Sequence, residues 1–540
     1  MNIKVNFNYL TISFFLIFFL IGYYIFNDYI VTPDEPLHRV NGFISLKYIL
    51  ELFSSNTTTL KEFENIPELY NDWRKTYGVL FDLPLSVIEL TFKLNIQETF
   101  LLRHFLIFLI FFIATIYFFN LLKTNLKNEK FALLGVLILI STPRIFSNSF
   151  YNGKDILFLS LLTIASYYCL ELLKKYNTKN LILSCLFCAF ASNIRIIGIY
   201  LPILTFVFYI FLSNKEKIKK NLIFFIIFFS TYFSILYIIW PFLWLNPVEN
   251  FLLILKESAS YPVHWKFEIL YLGNYLNPEN LPWHYLFIWF LSTTPIIFTA
   301  IILLGIFIFL IRYLNHFFKI TFDEKLKLWK NFDQMITLFV FLCFFIPVFF
   351  VITLNSTLYN GWRHLYFIYP FLIYLSIYGL INISSLLKNN FKKILFFLLA
   401  IQIISNAYFI YKSHPVQNIY FNSLSKPFIT NNLPIDYWGL GNKKTIDFII
   451  TKKNQFSISN SSFTPLANLK YSTGENFSYS ENIKFLGTQE KYKNISDFIF
   501  TNYYYNRSPK NMKKFEIPKN YKSYYKLIID DITVNEVFTK

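Results

Sequence analysis

Eleven apolar runs occupy most of this chain: residues 9–30, 101–121, 131–143, 155–173, 181–193, 196–213, 221–241, 285–311, 335–354, 364–386 and 393–411. An unbroken run of roughly 18 apolar residues is long enough to cross hydrocarbon as a helix, the one backbone form that pairs all its own polar groups there. A soluble domain carries about 25% charged residues. Here only 15% of 540 residues are charged and 55% are hydrophobic, so a soluble globular fold is excluded. The expected class is an α-helical polytopic membrane protein with about eleven transmembrane helices. Runs 131–143 and 181–193 are short for a full crossing. They end at Pro143-Arg144 and at Ser192-Asn-Ile-Arg195, a pattern that fits helices stopping early at a water-filled cavity. The first run has no small-residue cleavage site after it and is read as a retained anchor.

Lysine bias gives the orientation. Lys123, Lys127 and Lys130 lie in one loop, Lys174, Lys175 and Lys179 in another, and Lys388, Lys392 and Lys393 in a third. Further clusters fall in 213–220 and 312–330. All five loops share a side with the N-terminus if each run crosses once, and that side is expected to be the cytoplasm. The opposite, outer side then receives 31–100, 144–154, the turn at 194–195, 242–284, 355–363 and the tail 412–540. This distribution also explains the net charge of +18 without a nucleic-acid partner, since the cations sit in loops between spans and form no binding stripe.

Two units are expected. Residues 1–411 form the transmembrane part, whose first outer loop, 31–100, holds interfacial helices at Phe43–Phe53 and Leu85–Leu94. Residues 412–540 are polar and form a small C-terminal α/β domain. It has a helix near Lys443–Lys453, strands at Phe456–Ser459, Ile495–Phe500, Tyr525–Ile529 and Val534–Thr539, and a turn at Asp530-Asp531. Tryptophans 240, 244, 265, 283 and 289, in or beside the fourth outer loop, read as interface anchors. All four cysteines lie in apolar runs and read as packing, including Cys185-x-x-Cys188.

Chemistry is expected where polar groups gather. Asp34 and Glu35 follow directly on the first run, in Val31-Thr-Pro-Asp-Glu-Pro-Leu-His-Arg39. A carboxylate pair at that depth is costly unless a cation, a partner or a reacting proton offsets its desolvation. A solvated loop or a helix N-terminus is the plainer alternative. Arg144, Lys154 and Asp155 come from the second outer loop, Arg195 from the third, His264, Lys266 and His284 from the fourth, and Arg363 and His364 from the fifth. Asp155 is open to two readings, a helix cap or a cavity group. Against 42 Lys the chain keeps eight Arg, and six of them lie on or near the outer face. Arginine grips phosphate bidentately where lysine offers a point charge, so an anionic ligand is expected at Arg195 and Arg363. Arg74 and Arg103 are expected to be ion-paired within the first loop. A divalent metal held by Glu35 and His264 is a further open reading. Such a set suits sugar transfer from a lipid phosphate: a carboxylate orients or deprotonates an acceptor hydroxyl, and cations stabilise the departing phosphate.

The segments Thr32-Pro-Asp-Glu-Pro36, Pro143-Arg144 through Lys154-Asp155, Ala191-Ser-Asn-Ile-Arg195 and Gly361-Trp-Arg-His364 resemble the C-type glycosyltransferase superfamily. Within it, the chain is similar to the bacterial protein O-mannosyltransferase and aminoarabinose transferase group. His414-Pro-Val-Gln-Asn-Ile-Tyr-Phe-Asn422 and Asp436-Tyr-Trp-Gly439 carry the likeness into the tail. The resemblance implies an inverting transfer from a polyprenyl-phosphate sugar to a lipid, glycan or protein acceptor, on the periplasmic face of a bacterial inner membrane. It implies Asp34 as base, Glu35 as its support or a metal ligand, Asp155 as a second catalytic acid, and Lys154, Arg195, Arg363 and Arg144 as phosphate-binding groups. Two rivals share the spans and the cations, a flippase for a lipid-linked sugar and a glycan ligase. A flippase would also want polar groups at mid-membrane depth and an internal repeat, and neither is visible in the sequence.

Overall fold

The computed structural model describes residues 9–53, 63–212, 218–259, 268–318, 328–462, 466–471, 483–487, 492, 494–504 and 517–540. His264, Lys266, Trp265 and the lysines within 213–217 and 319–327 fall outside the described residues.

Each apolar run is helical where described. Among the described residues, eight helices are long and apolar enough to cross a membrane, or up to nine if the bent pair Glu129–Ile140 and Pro143–Tyr151 counts as one span. Thr178–Ile194 and Ile196–Leu212 are apolar but shorter. The eleven runs thus persist as eight full-length helices, one bent pair and two short helices, and the chain is a multi-pass membrane protein. Run 285–311 breaks at Pro295 into Tyr285–Thr293 and Ile296–Phe317.

Asparagine starts many of these helices. Asn95 caps Ile96–Leu126 in a capping box with Glu98, and Asn128, Asn177 and Asn331 each accept a backbone N–H in the first turn of the helix that follows. Each cap satisfies an orphan donor and is worth about 1 kcal/mol. At Pro143 the chain turns by 70°, because proline both opens a helix and cannot extend the preceding one. The helix it opens, Pro143–Tyr151, is buried along its whole length and delivers Asn152, Lys154 and Asp155 to one end of the bundle.

In the segment expected as the first outer loop, helices Glu35–Phe53 and Asp82–Phe92 overlap the expected ones, the first beginning at Glu35 rather than Phe43. Gly78 makes the tightest join, since a Cβ there would lie 1.7 Å from the Asn193 carbonyl oxygen. Leu80 N–H donates to Asn193 Oδ1 at 2.8 Å beside it. Two of the five tryptophans depart from the anchor reading. Trp240 and Trp289 are fully buried, whereas Trp283 is exposed and Trp244 half-buried. Trp289 packs against Phe421 and Arg144.

The C-terminal segment forms a five-stranded sheet in the order Ile483–Gly487, Phe456–Asn460, Phe498–Thr501, Ile532–Thr539, Lys522–Ile529. The first two pairings are parallel and the last two antiparallel. Asp530 and Asp531, both at positive φ, make the two-residue turn of the final hairpin, as expected where right-twisted strands meet. Helix Asn442–Ile450 covers the sheet through the Phe448–Tyr525 stack and through Asn535, whose Nδ2 donates to Thr445 Oγ1 at 3.0 Å. Strand Ile483–Gly487 is absent from the sequence expectation, because Lys484 and Gly487 interrupt its short apolar pattern.

Candidate active site

A cavity of about 600 Å³ opens at one end of the bundle. Its wall draws on 32–41, 73–78, 151–154, 193–197, 254–258, 351–365 and the tail residues Tyr437, Trp438 and Tyr504. Every expected outer loop contributes, and so does the tail.

Asp34 and Glu35 diverge although they are adjacent. Glu35 points inward and is buried. One oxygen accepts the Thr32 backbone N–H at 2.7 Å and the Thr32 hydroxyl at 2.9 Å; the other meets His104 Nε2 at 2.9 Å. Glu35 thus closes the turn that precedes its helix by reaching back to Thr32. Asp34 points into the cavity. Its side chain is 28% exposed, whereas that of Asp155 is 0% exposed, so only Asp34 is open to an incoming molecule. Burial raises the Asp34 pKa above the usual carboxylate range, opposed by Arg363 and by the Tyr437 hydroxyl.

Asp155 is not the helix cap. Asp155 is the first residue of its helix, and in the turn before it Asn152 Oδ1 accepts the Asp155 N–H at 2.9 Å. The Asp155 carboxylate is thereby released to bind Arg195, Arg363 at 3.2 Å and the Asn152 amide at 2.9 Å. Arg363 spans both acids, meeting Asp34 at 3.3 Å through the same Nη1. Three aromatic rings surround its guanidinium, Tyr359 at 4.9 Å, Tyr437 at 5.0 Å and Trp438 at 4.9 Å, an arrangement open to arginine's flat face and not to lysine. The Nε atoms of Arg195 and Arg363 are buried without a hydrogen-bond partner among the described residues.

Lys154 lines the wall but is engaged, donating to the Gly78 carbonyl at 2.9 Å and lying 3.6 Å from Asp82. Burial pushes its pKa down and Asp82 pulls it back up. Asp82 also binds Arg103, and Arg74 is paired with Asp72 at 2.7 Å. His38 faces the cavity with a pKa of about 3, held low by burial and by Lys154, so it is neutral. Arg144 lies outside the cavity wall. It donates to the Tyr420 carbonyl at 3.0 Å and stacks between Trp289 and Phe421. His284 pairs with the Tyr271 hydroxyl at 2.7 Å, away from the cavity. For a metal, no cluster of three or more His, Cys, Asp or Glu exists among the described residues. Both Glu35 oxygens have protein partners, and His264 lies outside the described residues.

Asp82, Asn152, Tyr77, Tyr437 and Tyr504 were not singled out from the sequence. Asp82 carried a signal, since an acid inside an apolar helix start needs a partner. Tyr77 and Tyr504 carried none in a chain with 39 tyrosines, whereas Tyr437 lies within Asp436-Tyr-Trp-Gly439, the segment that carries the likeness into the tail.

Together these define a multi-pass membrane protein with an arginine–carboxylate cluster in a cavity at one end of its helices. Residues 85–244 match the family model described as dolichyl-phosphate-mannose-protein mannosyltransferase. That stretch holds Asp155 and Arg195. No curated protein matches the chain. Among solved structures, it is similar to the crystal structure of ArnT from Cupriavidus metallidurans in the apo state, at 11% identity and TM-score 0.45, covering 98% of this chain and 97% of that one. The ArnT structure bound to undecaprenyl phosphate aligns at 10% identity and TM-score 0.41, with the same coverage of each chain.

Proposed function

We propose that the protein is a membrane glycosyltransferase that moves a sugar from a polyprenyl phosphate to a lipid, glycan or protein acceptor. The observation that carries this is the single cavity in which an exposed acid, Asp34, shares Arg363 with a sealed acid, Asp155. Exposure assigns the roles. Asp34 takes the proton from the acceptor hydroxyl. The hydroxyl oxygen attacks the sugar's anomeric carbon from the face opposite the phosphate, so configuration inverts. The carbon–oxygen bond to phosphate breaks, and its electron pair leaves with the phosphate. Arg195 and Arg363, cations on the cavity wall, offset that charge. Asp155 holds the two arginines, and Glu35 fixes the turn that aims Asp34. Lys154 contributes positive potential to the cavity wall, where it lies with Arg195 and Arg363.

We place the cavity on the periplasmic face of a bacterial inner membrane with the N-terminus in the cytoplasm, from the lysine-rich loops at the other end. Residues 1–411 form the transferase unit and 412–540 a periplasmic domain. The test uses membrane vesicles from cells grown on radiolabelled glucose, which hold donor and acceptor together. The initial rate of label passing from extractable lipid to surface material is compared with vesicles lacking the protein. Asp34→Asn is expected to lower the protein-dependent rate about 10²–10⁴-fold, the usual contribution of a positioned base. Normal insertion with full transfer in that variant overturns the assignment.

A further inference from the structure

The tail is not merely outside the membrane; one of its side chains reaches the acid at the centre of the cavity. Tyr437 Oη donates to both oxygens of Asp34, at 3.2 Å and 3.3 Å. The same oxygen accepts from Arg363 Nη2 at 3.4 Å. Tyr437 is therefore the third member of a triangle with Asp34 and Arg363, contributed from about 400 residues along the chain, a sequence separation of 403.

The sheet holds it there. Asp436 accepts the backbone N–H groups of Leu440 at 3.1 Å and Gly441 at 2.9 Å, which folds the loop into a tight turn. Asn502, just past the strand Phe498–Thr501, donates to the Asp436 carbonyl at 2.9 Å. Tyr504 packs edge-on against Tyr437, with centroids 5.3 Å apart, and its hydroxyl donates to Asn360 Oδ1 at 2.7 Å. The loop is thus clamped between the sheet and the fifth outer loop. A clamp of this kind costs conformational freedom and gives a side chain one fixed aim.

We propose that Tyr437 is a positioning residue for the transfer reaction, holding the Asp34 carboxylate toward the acceptor and keeping it ionised, so that the C-terminal sheet is part of the active site. This deepens the glycosyltransferase reading and rests on it. The physical basis is simple. A donor on a carboxylate stabilises the charged form and opposes protonation. Asp34 needs such help, because burial works against its charge. The charged and titratable groups facing it are Arg363, Asp155 and the phenols of Tyr437, Tyr77 and Tyr504. Of these, Arg363 is divided between two acids, which leaves Tyr437 as the donor committed to Asp34. The Tyr437 phenol itself stays protonated, its pKa pushed well up by burial and by the Asp34 charge.

The experiment is the vesicle assay run across pH. Tyr437→Phe keeps the ring against Arg363 and Tyr504 and removes only the hydroxyl. Its acid limb is expected to move up by about one pH unit, because a lost hydrogen bond to a charged group is worth roughly that much. At pH above the limb, much of the rate returns. An unmoved limb in a variant that melts with the wild type overturns the proposal. If Tyr437→Phe fails to fold, 3-fluorotyrosine placed at 437 gives a stronger donor of the same shape, and its limb must move down; no movement again overturns the proposal. Asp34→Asn separates the two levels. If it transfers sugar normally, the base assignment has failed. If it is inactive while Tyr437→Phe keeps the wild-type profile, only the role of Tyr437 has failed.

Discussion

At the scale of single residues, the site separates groups that the sequence could only gather. Asp34 and Glu35 are neighbours in the chain, yet one is open to the cavity and the other is tied to Thr32 and His104. Glu35→Gln keeps the shape and removes the charge. It is expected to lower stability by about 1.5–3 kcal/mol, the range for a hydrogen bond to a charged group, as seen in the thermal midpoint in detergent. Arg363→Lys is a different loss. Lysine cannot span two acids inside a ring of three aromatics, and transfer is expected to fall about 10²-fold or more, comparable to removing a preorganised donor. The decisive measurement is the initial rate at saturating lipid, since a change confined to KM places Arg363 in binding alone. The pH dependence follows from Asp34. Its pKa is raised in the fold, and the base works only when ionised. The rate is therefore expected to fall as pH drops through a limb above the ordinary carboxylate value of about 3.9. A limb at or below that value contradicts the role.

At the scale of elements, much of the layout was written in the sequence, for physical reasons that can be named. Apolar length places the long helices, because that signal is summed over many residues. Proline marks the 70° turn at Pro143. Arg195 and Arg363 stood out against a lysine-rich background, and both line the cavity. What the sequence did not give was partner choice. Whether Asp155 caps its helix or binds arginine turns on Asn152, three residues earlier, and on the path of two distant loops. Arg144 looked like Arg195 in type and expected side, yet the bent helix turns it toward Tyr420 and Trp289. The join at Gly78 belongs to this scale too. Gly78→Ala forces a methyl onto the Asn193 carbonyl and is expected to cost about 1–3 kcal/mol as the loops part. Because Lys154 also holds the Gly78 carbonyl, transfer is expected to suffer more than insertion. Equal rates in wild type and variant would show that the cavity tolerates the gap.

At the scale of the whole molecule, the question is why a membrane bundle carries a polar sheet. Tail residues line the cavity, and Trp438 and Tyr437 form two of the three rings around Arg363. The bundle alone would leave that guanidinium half-wrapped and Asp34 without its phenol. The sheet also brings its own pH response. The Asp436 pKa is raised to about 6, chiefly by burial, with the surrounding N–H groups pulling it down. An acid whose pKa is raised by folding takes up its proton more readily in the native state. The stability this lends is full below the unfolded value of about 3.9 and is lost as pH rises through about 6. Asn at 436 keeps one acceptor and does not titrate. The wild type's advantage over Asp436→Asn in thermal midpoint is therefore expected to be larger at pH 5 than at pH 7.5. An advantage that stays constant or grows with pH means that burial does not govern this carboxyl. The structural consequence reaches the cavity directly, since Tyr437 is the next residue. A turn loosened as Asp436 ionises loosens the phenol on Asp34, so the ratio of wild-type transfer to that of Asp436→Asn is expected to fall between pH 5 and pH 7.5.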